Sequence, residues 1–238
     1  MIHPIRSNYR NEMKYLMAYP DYIVLRARLQ QIMKPDRYVN GKGYYEVRSL
    51  YFDDFLNSAY QEKQDGLLER RKYRIRIYNY SADVIHLECK IKNDRYVRKE
   101  TAPLTRQEFN WLIKGYPQFL LDTTYDLHRR FYFEYMAKVL RPRVIVDYER
   151  EPFVMAAGDV RVTFDKNIRA GMDGLAMFDA SMSTAEVLPP GQLVMEVKFT
   201  DFLPEMVRQL LTAGVYQYLA ISKYVLCCQQ TMHKQLWN

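Results

Sequence analysis

The sequence is poor in residues on which several common functional sites depend. Its nine glycines in 238 residues include no G-x-x-x-x-G-K-[ST] motif, so a P-loop nucleotide site is excluded. The three cysteines and four histidines are scattered without the spacing of a zinc site. No Ser-His-Asp or Cys-His arrangement indicates nucleophilic catalysis. The chemistry must therefore come from other residue types.

Long apolar runs are also absent. The N-terminal segment has no apolar core of signal-peptide length, and no run approaches the length of a membrane span. The adjacent Cys227 and Cys228 favour a reducing compartment, because neighbouring cysteines rarely form an unstrained disulfide. We therefore expect a soluble, cytoplasmic protein.

Positive charge and tyrosine are abundant. The formal net charge is +7, which favours an anionic partner such as nucleic acid, a phosphorylated small molecule or an acidic membrane surface. A hydrophobic content of 48% supports a packed core, and 21 tyrosines favour a β-rich fold. No linker or repeat divides the chain, so we predict one domain over residues 1–238.

Alternating and helical patterns together predict an antiparallel α+β domain. The predicted strands are 10–15, 44–53, 70–78, 84–92, 95–100, 143–150, 160–165 and 193–199. The predicted helices are 20–33, 105–114, 125–139 and 204–233, the last interrupted near Gly214 or Ser222. A Thr-x-x-Glu capping box, Thr105 with Glu108, marks the start of the second helix.

The segment 70–79, RRKYRIRIYN, shows the central ambiguity of these strands. Arg74 and Arg76 share one face, opposite Tyr73, Ile75 and Ile77. For a single strand, a solvated basic face is the simpler interpretation. Basic residues nevertheless recur at mid-strand positions in several strands, which is consistent with a barrel whose charged faces point inward. Such a lumen requires an anion of high charge density, for example a polyphosphate chain, with inward carboxylates holding a divalent cation.

The sequence resembles the polyphosphate-polymerase (VTC) domain of the triphosphate tunnel metalloenzymes. The resemblance extends over residues 8–226 and depends on short motifs that occur in the order of the family. These motifs are EMKY from Glu12, SLYFD from Ser49, RKYRIR from Arg71, LECKIK from Leu87, YER from Tyr148, RVTFD from Arg161, MEVKF from Met195 and SKY from Ser222.

The resemblance implies a tunnel of eight antiparallel strands with flanking helices. By motif position, the residues implied to act on phosphate during catalysis are Lys14, Arg74, Arg76, Lys90, Arg150 and Arg161. Those implied to bind substrate are Arg98 or, one residue later in register, Lys99, together with Tyr148, Lys198, Ser222 and Lys223. Glu196 is the implied ligand of Mn²⁺ or Mg²⁺, and Glu12 and Glu88 are further inward carboxylates.

The resemblance further implies phosphoryl transfer from ATP or another NTP to a growing polyphosphate chain. A triphosphatase acting on triphosphate or NTP, and a polyphosphate or nucleotide sensor without catalysis, remain alternatives. We expect no nucleic-acid partner, because most aromatic groups at 73–78 lie opposite the arginines. Relatives are often joined to membrane proteins, which implies a possible membrane-protein partner at the inner face of the membrane. Ala220 replaces a family lysine at the late helix, where a cation is lost.

Overall fold

The computed structural model describes residues 11–39, 41–93, 96–200, 202–212, 214 and 217–235. Its strands are β1 (Asn11–Ala18), β2 (Lys34–Pro35), β3 (Tyr45–Asp53), β4 (Glu69–Tyr78), β5 (Ile85–Asn93), β6 (Tyr96–Leu104), β7 (Arg141–Met155), β8 (Val160–Gly171), β9 (Ala185–Glu186), β10 (Gln192–Phe199) and β11 (Gln217–Tyr218). Three strands, β2, β9 and β11, have two residues each, and the other eight have 8 to 15. The eight predicted strands correspond to these long ones.

Within the described residues, six α-helices accompany the strands. They are α1 (Tyr19–Leu29), α2 (Ser58–Gln64), α3 (Arg106–Ile113), α4 (Asp126–Ala137), α5 (Glu205–Thr212) and α6 (Lys223–Gln235). The predicted capping box is present, since Thr105 and Glu108 exchange side-chain to backbone hydrogen bonds. The predicted long helix is two helices, α5 and α6, separated by the short strand β11. No described helix is long and apolar enough to span a bilayer.

All strands pair antiparallel in one sheet, in the order β11-β1-β10-β8-β7-β3-β4-β5-β6. The short strands β2 and β9 pair with β7 and β8. This arrangement confirms the antiparallel tunnel fold, with one correction to the expected closed barrel. Across the described ranges, no strand pairing joins β6 to β1, so hydrogen bonds do not close the sheet. An ion pair between Lys90 and Glu12, 3.3 Å apart, instead links β5 to β1 across the interior.

Helices cover the outer surface of the sheet on two sides. On one side, Ile75 and Ile77 of β4 pack with Phe109 of α3 and Phe131 of α4. On the other side, α1 and α5 cover β1, β8 and β10. The apolar face of β4 therefore points outward, and Arg74 and Arg76 point inward. This confirms the direction inferred for the segment 70–79 and places the basic faces of the strands inside the tunnel.

The sequence pattern predicted a polar inner face along the sheet. Part of this inner face is instead apolar. Helix α6 packs against the inner faces of β3 and β7, where Val47 and Val146 meet Tyr224 and Cys227. The helix supplies apolar partners, so these strands carry valines on their inner faces. Cys227 and Cys228 are fully buried there. Much of the polar interior lies around the first residue of α6, between it and strands β1, β4, β5, β7 and β10.

Candidate functional site

The concave face of the sheet encloses a cavity of about 110 Å³, here called the central chamber. Eight basic side chains line it, against the single carboxylate of Glu196. The basic residues are Lys14, Lys72, Arg74, Arg76, Lys90, Arg150, Lys198 and Lys223. All of them except Lys72 are residues that the sequence predicted, and the predicted Tyr148 and Ser222 line the same cavity. Five strands and helix α6 thus bring these basic residues to one point.

One buried carboxylate orients Arg74 and Arg76 of β4. Glu88, directly opposite Arg74 on β5, accepts a hydrogen bond of 2.7 Å from Nε of Arg74. Nη1 of Arg76 lies 3.8 Å from the same carboxylate, and Nζ of Lys99 lies 2.7 Å from it. Burial acts to raise the pKa of Glu88, but these cations outweigh it and hold that pKa well below its usual range. Glu88 is therefore ionised, and its carboxylate holds Arg74, Arg76 and Lys99 in position.

A second group of charges joins β1 and β10. Nζ of Lys14 lies 2.7 Å from Glu12, and Nζ of Lys198 lies 2.6 Å from Glu196. Burial acts to raise the pKa of Glu196, but Lys198, Lys14 and other nearby cations hold it well below its usual range. Glu196 therefore presents an ionised carboxylate to the chamber.

A third group lies where α6 begins. Arg150 on β7 donates two hydrogen bonds to Asp165, of 2.7 and 2.8 Å, and Nζ of Lys223 lies 2.5 Å from the same carboxylate. The ring of Tyr148 lies 5.1 Å from both cationic groups, within the range of a cation–π contact. Asp165 is fully buried in the middle of β8.

Two lysines of the chamber have pKa values close to neutral pH. Burial lowers the pKa of Lys72 to about 7, with Arg70 adding to the effect. Burial also lowers the pKa of Lys90 to about 7, with Lys14 adding to the effect. An anion in the chamber would favour the charged form of both lysines.

A basic cavity of about 410 Å³, here called the lysine mouth, adjoins the chamber on one side. Six basic side chains line it, with the carboxylate of Glu12: Lys14, Lys63, Arg70, Lys72, Lys90 and Lys92. Lys14, Lys72, Lys90 and Ser222 line both cavities, so the two are adjacent. Ala220, the departure from the family pattern, lies in the wall of this mouth.

A second cavity, of about 590 Å³ and here called the tyrosine mouth, lies towards the opposite end of the tunnel. Arg161 lines this cavity and is not among the residues of the central chamber. Its guanidinium lies 3.1 Å from Asp36 and donates a hydrogen bond of 2.8 Å to the hydroxyl of Tyr45. The structure therefore places Arg161 on the inner face, as predicted, but apart from the other basic residues.

The structure corrects the preferred residue on β6. Arg98 pairs with Ile91, whose side chain packs in the outer core, and its guanidinium contacts Glu100 on the exposed surface. Lys99 pairs with Lys90 and reaches Glu88 on the inner side. The turn at 94–95 lies outside the described residues, and the register that follows it differs by one from the preferred alignment. A one-residue shift in a strand exchanges its two faces.

Two inner-face residues were not predicted. Lys72 lies two positions before Arg74, so strand alternation alone was sufficient to identify it. Thr163 lies between Arg161 and Asp165 on β8 and opposite Glu196 on β10. Its hydroxyl is buried without a hydrogen-bond partner in the structure as described.

The metal-binding capacity of the site is limited to few protein ligands. The described residues include no group of three His, Cys, Asp or Glu side chains placed to hold an ion. The arrangement fits a cation such as Mg²⁺, which binds through one or two carboxylates and substrate phosphates while retaining water. Glu196 is the carboxylate that lines the chamber, and Lys198 lies within ion-pair distance of both Glu196 and Glu12.

Comparison with known proteins agrees with this architecture. The VTC domain family matches residues 9–232 of the chain. HpAC1 from Hippeastrum, provisionally assigned as an adenylyl cyclase and described as having a dominant triphosphatase activity, is 14% identical, with a TM-score of 0.58 over 93% of this chain and 96% of that one. A provisionally assigned adenylate cyclase from Bacillus halodurans is 10% identical, with a TM-score of 0.50 over 86% of this chain and 88% of that one. Comparison with curated proteins gave no match.

At these identities the two solved structures establish the fold alone, and the family match extends over nearly the whole chain. The chain has the triphosphate tunnel fold and belongs to the VTC domain family.

Proposed function

We propose that the protein catalyses metal-dependent phosphoryl transfer in its tunnel, and that it synthesises polyphosphate from the γ-phosphate of ATP. The central chamber supports the first part of this proposal. Eight basic side chains face one carboxylate there, so the chamber matches an anion of several charges. In phosphoryl transfer the protein contributes mainly positioning and electrostatic stabilisation, which fixed cations supply.

The ion pairs that Glu88 and Asp165 form with the chamber cations hold those cations in position. Glu88 fixes Arg74, and Asp165 fixes Arg150 and Lys223. A guanidinium that is already oriented loses little conformational freedom when it binds phosphate. We assign Arg74, Arg76 and Arg150 to the transferred phosphoryl group and its leaving oxygen. Lys14, Lys90, Lys198 and Lys223 balance the remaining charge.

A divalent cation, Mn²⁺ or Mg²⁺, would be held by Glu196 together with phosphate oxygens of the substrate. When bound, it would neutralise charge on the β- and γ-phosphates. In the transfer step, the terminal oxygen of the acceptor chain forms a bond to the γ-phosphorus. The bond from that phosphorus to the β–γ bridging oxygen breaks, and its electron pair leaves with ADP.

One observation supports a polymerase over a triphosphatase. The central chamber shares four wall residues with the lysine mouth, and basic residues line both. A triphosphatase needs to enclose only a triphosphate, whereas a polymerase also needs a path for a longer polyanion. The cations of the lysine mouth, which include Lys63, Arg70 and Lys92, supply such a path.

The triphosphatase is the second candidate, and a printed property of a neighbour supports it. HpAC1, which shares the fold, is described as having a dominant triphosphatase activity. In that reaction, water replaces the chain end as the nucleophile in the same chamber. Ala220 removes one cation from the lysine mouth relative to the family pattern, which is consistent with weaker binding of an acceptor chain.

The experiment that separates the two is incubation with ATP and Mn²⁺, followed by electrophoresis of the products. A ladder of long phosphate chains is expected for the polymerase, and orthophosphate alone would exclude it. The Glu196→Gln variant keeps the shape of the side chain but removes its charge, and it should lose turnover while retaining tripolyphosphate binding in EDTA. If the wild type binds tripolyphosphate tightly but turns over no ATP with either metal, a sensor replaces both enzymes.

A further inference from the structure

Lys72 differs from the other cations of the central chamber in its lack of an ion-pair partner. Seven of the eight basic side chains that line the chamber have a carboxylate within 3.8 Å. Lys72 has none among the described residues, and its Nζ lies instead 4.5 Å from the centre of the Tyr224 ring. Its side chain is half-buried and lines both the chamber and the lysine mouth. This amine is therefore open to small molecules from the solvent.

The surroundings of Lys72 favour the neutral amine over the ammonium. Burial lowers its pKa to about 7, and the positive charges of Arg70 and Lys63 add to this effect. Cys228 and Asp53 act in the opposite direction without reversing it. About half of the Lys72 side chains are therefore neutral at pH 7. A neutral lysine amine next to other cations is an activated nucleophile.

The chamber would also stabilise an anion formed on this amine. Eight basic side chains face the single carboxylate of Glu196, so positive charge is in surplus. Arg70 and Lys63, whose charges act on Lys72, line the lysine mouth beside it. A negatively charged group on Lys72 would accept charge-assisted hydrogen bonds from such cations. The position thus combines a nucleophile with a site for an anionic product.

We propose that Lys72 is a site of reversible carbamate formation with carbon dioxide. The lone pair of the neutral Nζ attacks the carbon of CO₂, an N–C bond forms, and one C–O π electron pair moves onto an oxygen. One proton leaves the nitrogen for the solvent. The product is a carbamate with one negative charge, and no atom is oxidised or reduced.

Lys90 has a similar pKa but a different environment. Its Nζ lies 3.3 Å from both carboxylate oxygens of Glu12, and the charge of Glu196 also acts on it. A carbamate on Lys90 would be repelled by these carboxylates. Lys72 has no carboxylate at this distance among the described residues. We therefore expect the modification at Lys72 and not at Lys90.

A carbamate on Lys72 would compete with phosphate ligands. It replaces a side chain that can be cationic with an anionic one in the wall that the two basic cavities share. Coupling between two ligands is reciprocal, so CO₂ should weaken the binding of tripolyphosphate, and tripolyphosphate should suppress the carbamate. The competition rests on the proposed function, whereas the carbamate itself does not.

The carbamate is detected by carbon-13 NMR on the full chain, equilibrated with labelled bicarbonate and CO₂. A control buffer has the same pH and ionic strength, with chloride in place of bicarbonate. We expect a carbamate signal that Lys72→Arg removes and Lys90→Arg retains, because a guanidinium stays charged and does not react. Any α-amino group also reacts, but its signal is common to all three proteins. Alkylation with triethyloxonium ion and mass spectrometry should then locate the trapped carbamate on Lys72.

Calorimetry with tripolyphosphate in the same two buffers tests the competition. If the carbamate and the ligand exclude each other, a half-modified protein should lose about twofold in affinity, and a nine-tenths modified one about tenfold. The loss is thus fixed by the occupancy that NMR measures. Lys72→Arg should show one affinity in both buffers, while Lys90→Arg should lose affinity in CO₂ as the wild type does.

Three results separate the parts of this proposal. If Lys72→Arg removes no carbamate signal, or if the trapped carbamate lies on another lysine, the modification site is wrong. A carbamate on Lys72 with equal tripolyphosphate affinity in the two buffers would overturn the competition. Failure of the wild type to bind tripolyphosphate in the CO₂-free buffer would instead reject the phosphate site of the proposed function, and the NMR result would stand independently.

Discussion

Two buried arginines on neighbouring strands show how the same residue type serves stability in one place and binding in another. Arg48 on β3 is 1% exposed and Arg76 on β4 is 7% exposed. Arg48 points to the outer face, where Nε and Nη2 donate to Asp147. Its Nη1 donates to the carbonyl oxygens of residues 176, 177 and 179. Acceptors within the protein thus form hydrogen bonds with all three nitrogens of this guanidinium.

Arg76 points into the tunnel and has weaker partners. Its Nε donates to Ser49 at 3.0 Å, but its Nη2 lies 3.4 Å from the Tyr148 hydroxyl and its Nη1 lies 3.8 Å from Glu88. Buried charges are normally well paired, because an unpaired one is costly. An incompletely partnered arginine in a chamber with a surplus of cations therefore indicates a site for an anionic ligand. The fully partnered Arg48 indicates a structural role.

The strongest test of this contrast is Arg76→Gln. Turnover should fall about 10²- to 10³-fold, because a preorganised charge on the transferred phosphoryl group is lost. The melting temperature without ligand should stay the same or rise, since repulsion between Arg74 and Arg76 is relieved. Steady-state kinetics and thermal unfolding on the same preparation provide both numbers. Turnover within tenfold of the wild type would show that Arg76 is not part of the site.

The matched change on the outer face is Arg48→Gln, and the opposite outcome is expected. The free energy of unfolding should fall by about 3–5 kcal/mol, because Asp147 loses its main partner inside the protein. Arg169, 3.0 Å from Asp147, partly compensates. Urea unfolding measures the loss, and turnover per folded molecule should remain close to that of the wild type. A large loss of turnover without a loss of stability would contradict the structural role.

The sequence predicted the direction of Arg76 because strand alternation relates it to Arg74 and opposes both to Tyr73, Ile75 and Ile77. It did not predict the role of Arg48, since the partners of that arginine lie 99 to 131 residues away in the chain. Alternation also identified Lys90 and Glu196, which lie in the middle of regular strands. It failed on β6, where the register follows a turn outside the described residues, and on β3 and β7, where α6 covers the inner valines.

Lys72 and Lys90 in the chamber provide a pH-dependent test of the contrast between the tunnel interior and the outer face. Lys72 and Lys90 have pKa values lowered to about 7, by burial first and by neighbouring cations second. A bound polyphosphate favours their charged forms, so binding takes up protons wherever the free lysines are neutral. Affinity for tripolyphosphate should therefore be steady below pH 6 and should fall about tenfold or more between pH 7 and pH 8.

Arginine at both positions is the control for this pH effect. The variant Lys72→Arg with Lys90→Arg stays charged throughout, and the ligand titrates identically with either protein. The ratio of the two affinities isolates the lysines, and it should rise with pH in favour of the arginine variant. A ratio that does not change from pH 6 to pH 9 would show that these lysines are charged in the free protein.

The smallest effect on turnover or binding is expected for substitution of Thr163. This residue extends the comparison of Arg48 and Arg76 to a neutral side chain. Its hydroxyl is buried on the inner face, opposite Glu196, and has no partner among the described residues. A ligand oxygen or ion-bound water near Glu196 would satisfy it. Thr163→Val should raise KM about three- to tenfold, through loss of one hydrogen bond, and should leave the free protein as stable or slightly more stable. Thr163→Ser keeps the hydroxyl and should retain the KM of the wild type. If Thr163→Val lowers stability and leaves KM unchanged, the hydroxyl has a structural role like that of Arg48. It would then have no role in ligand binding of the kind assigned to Arg76.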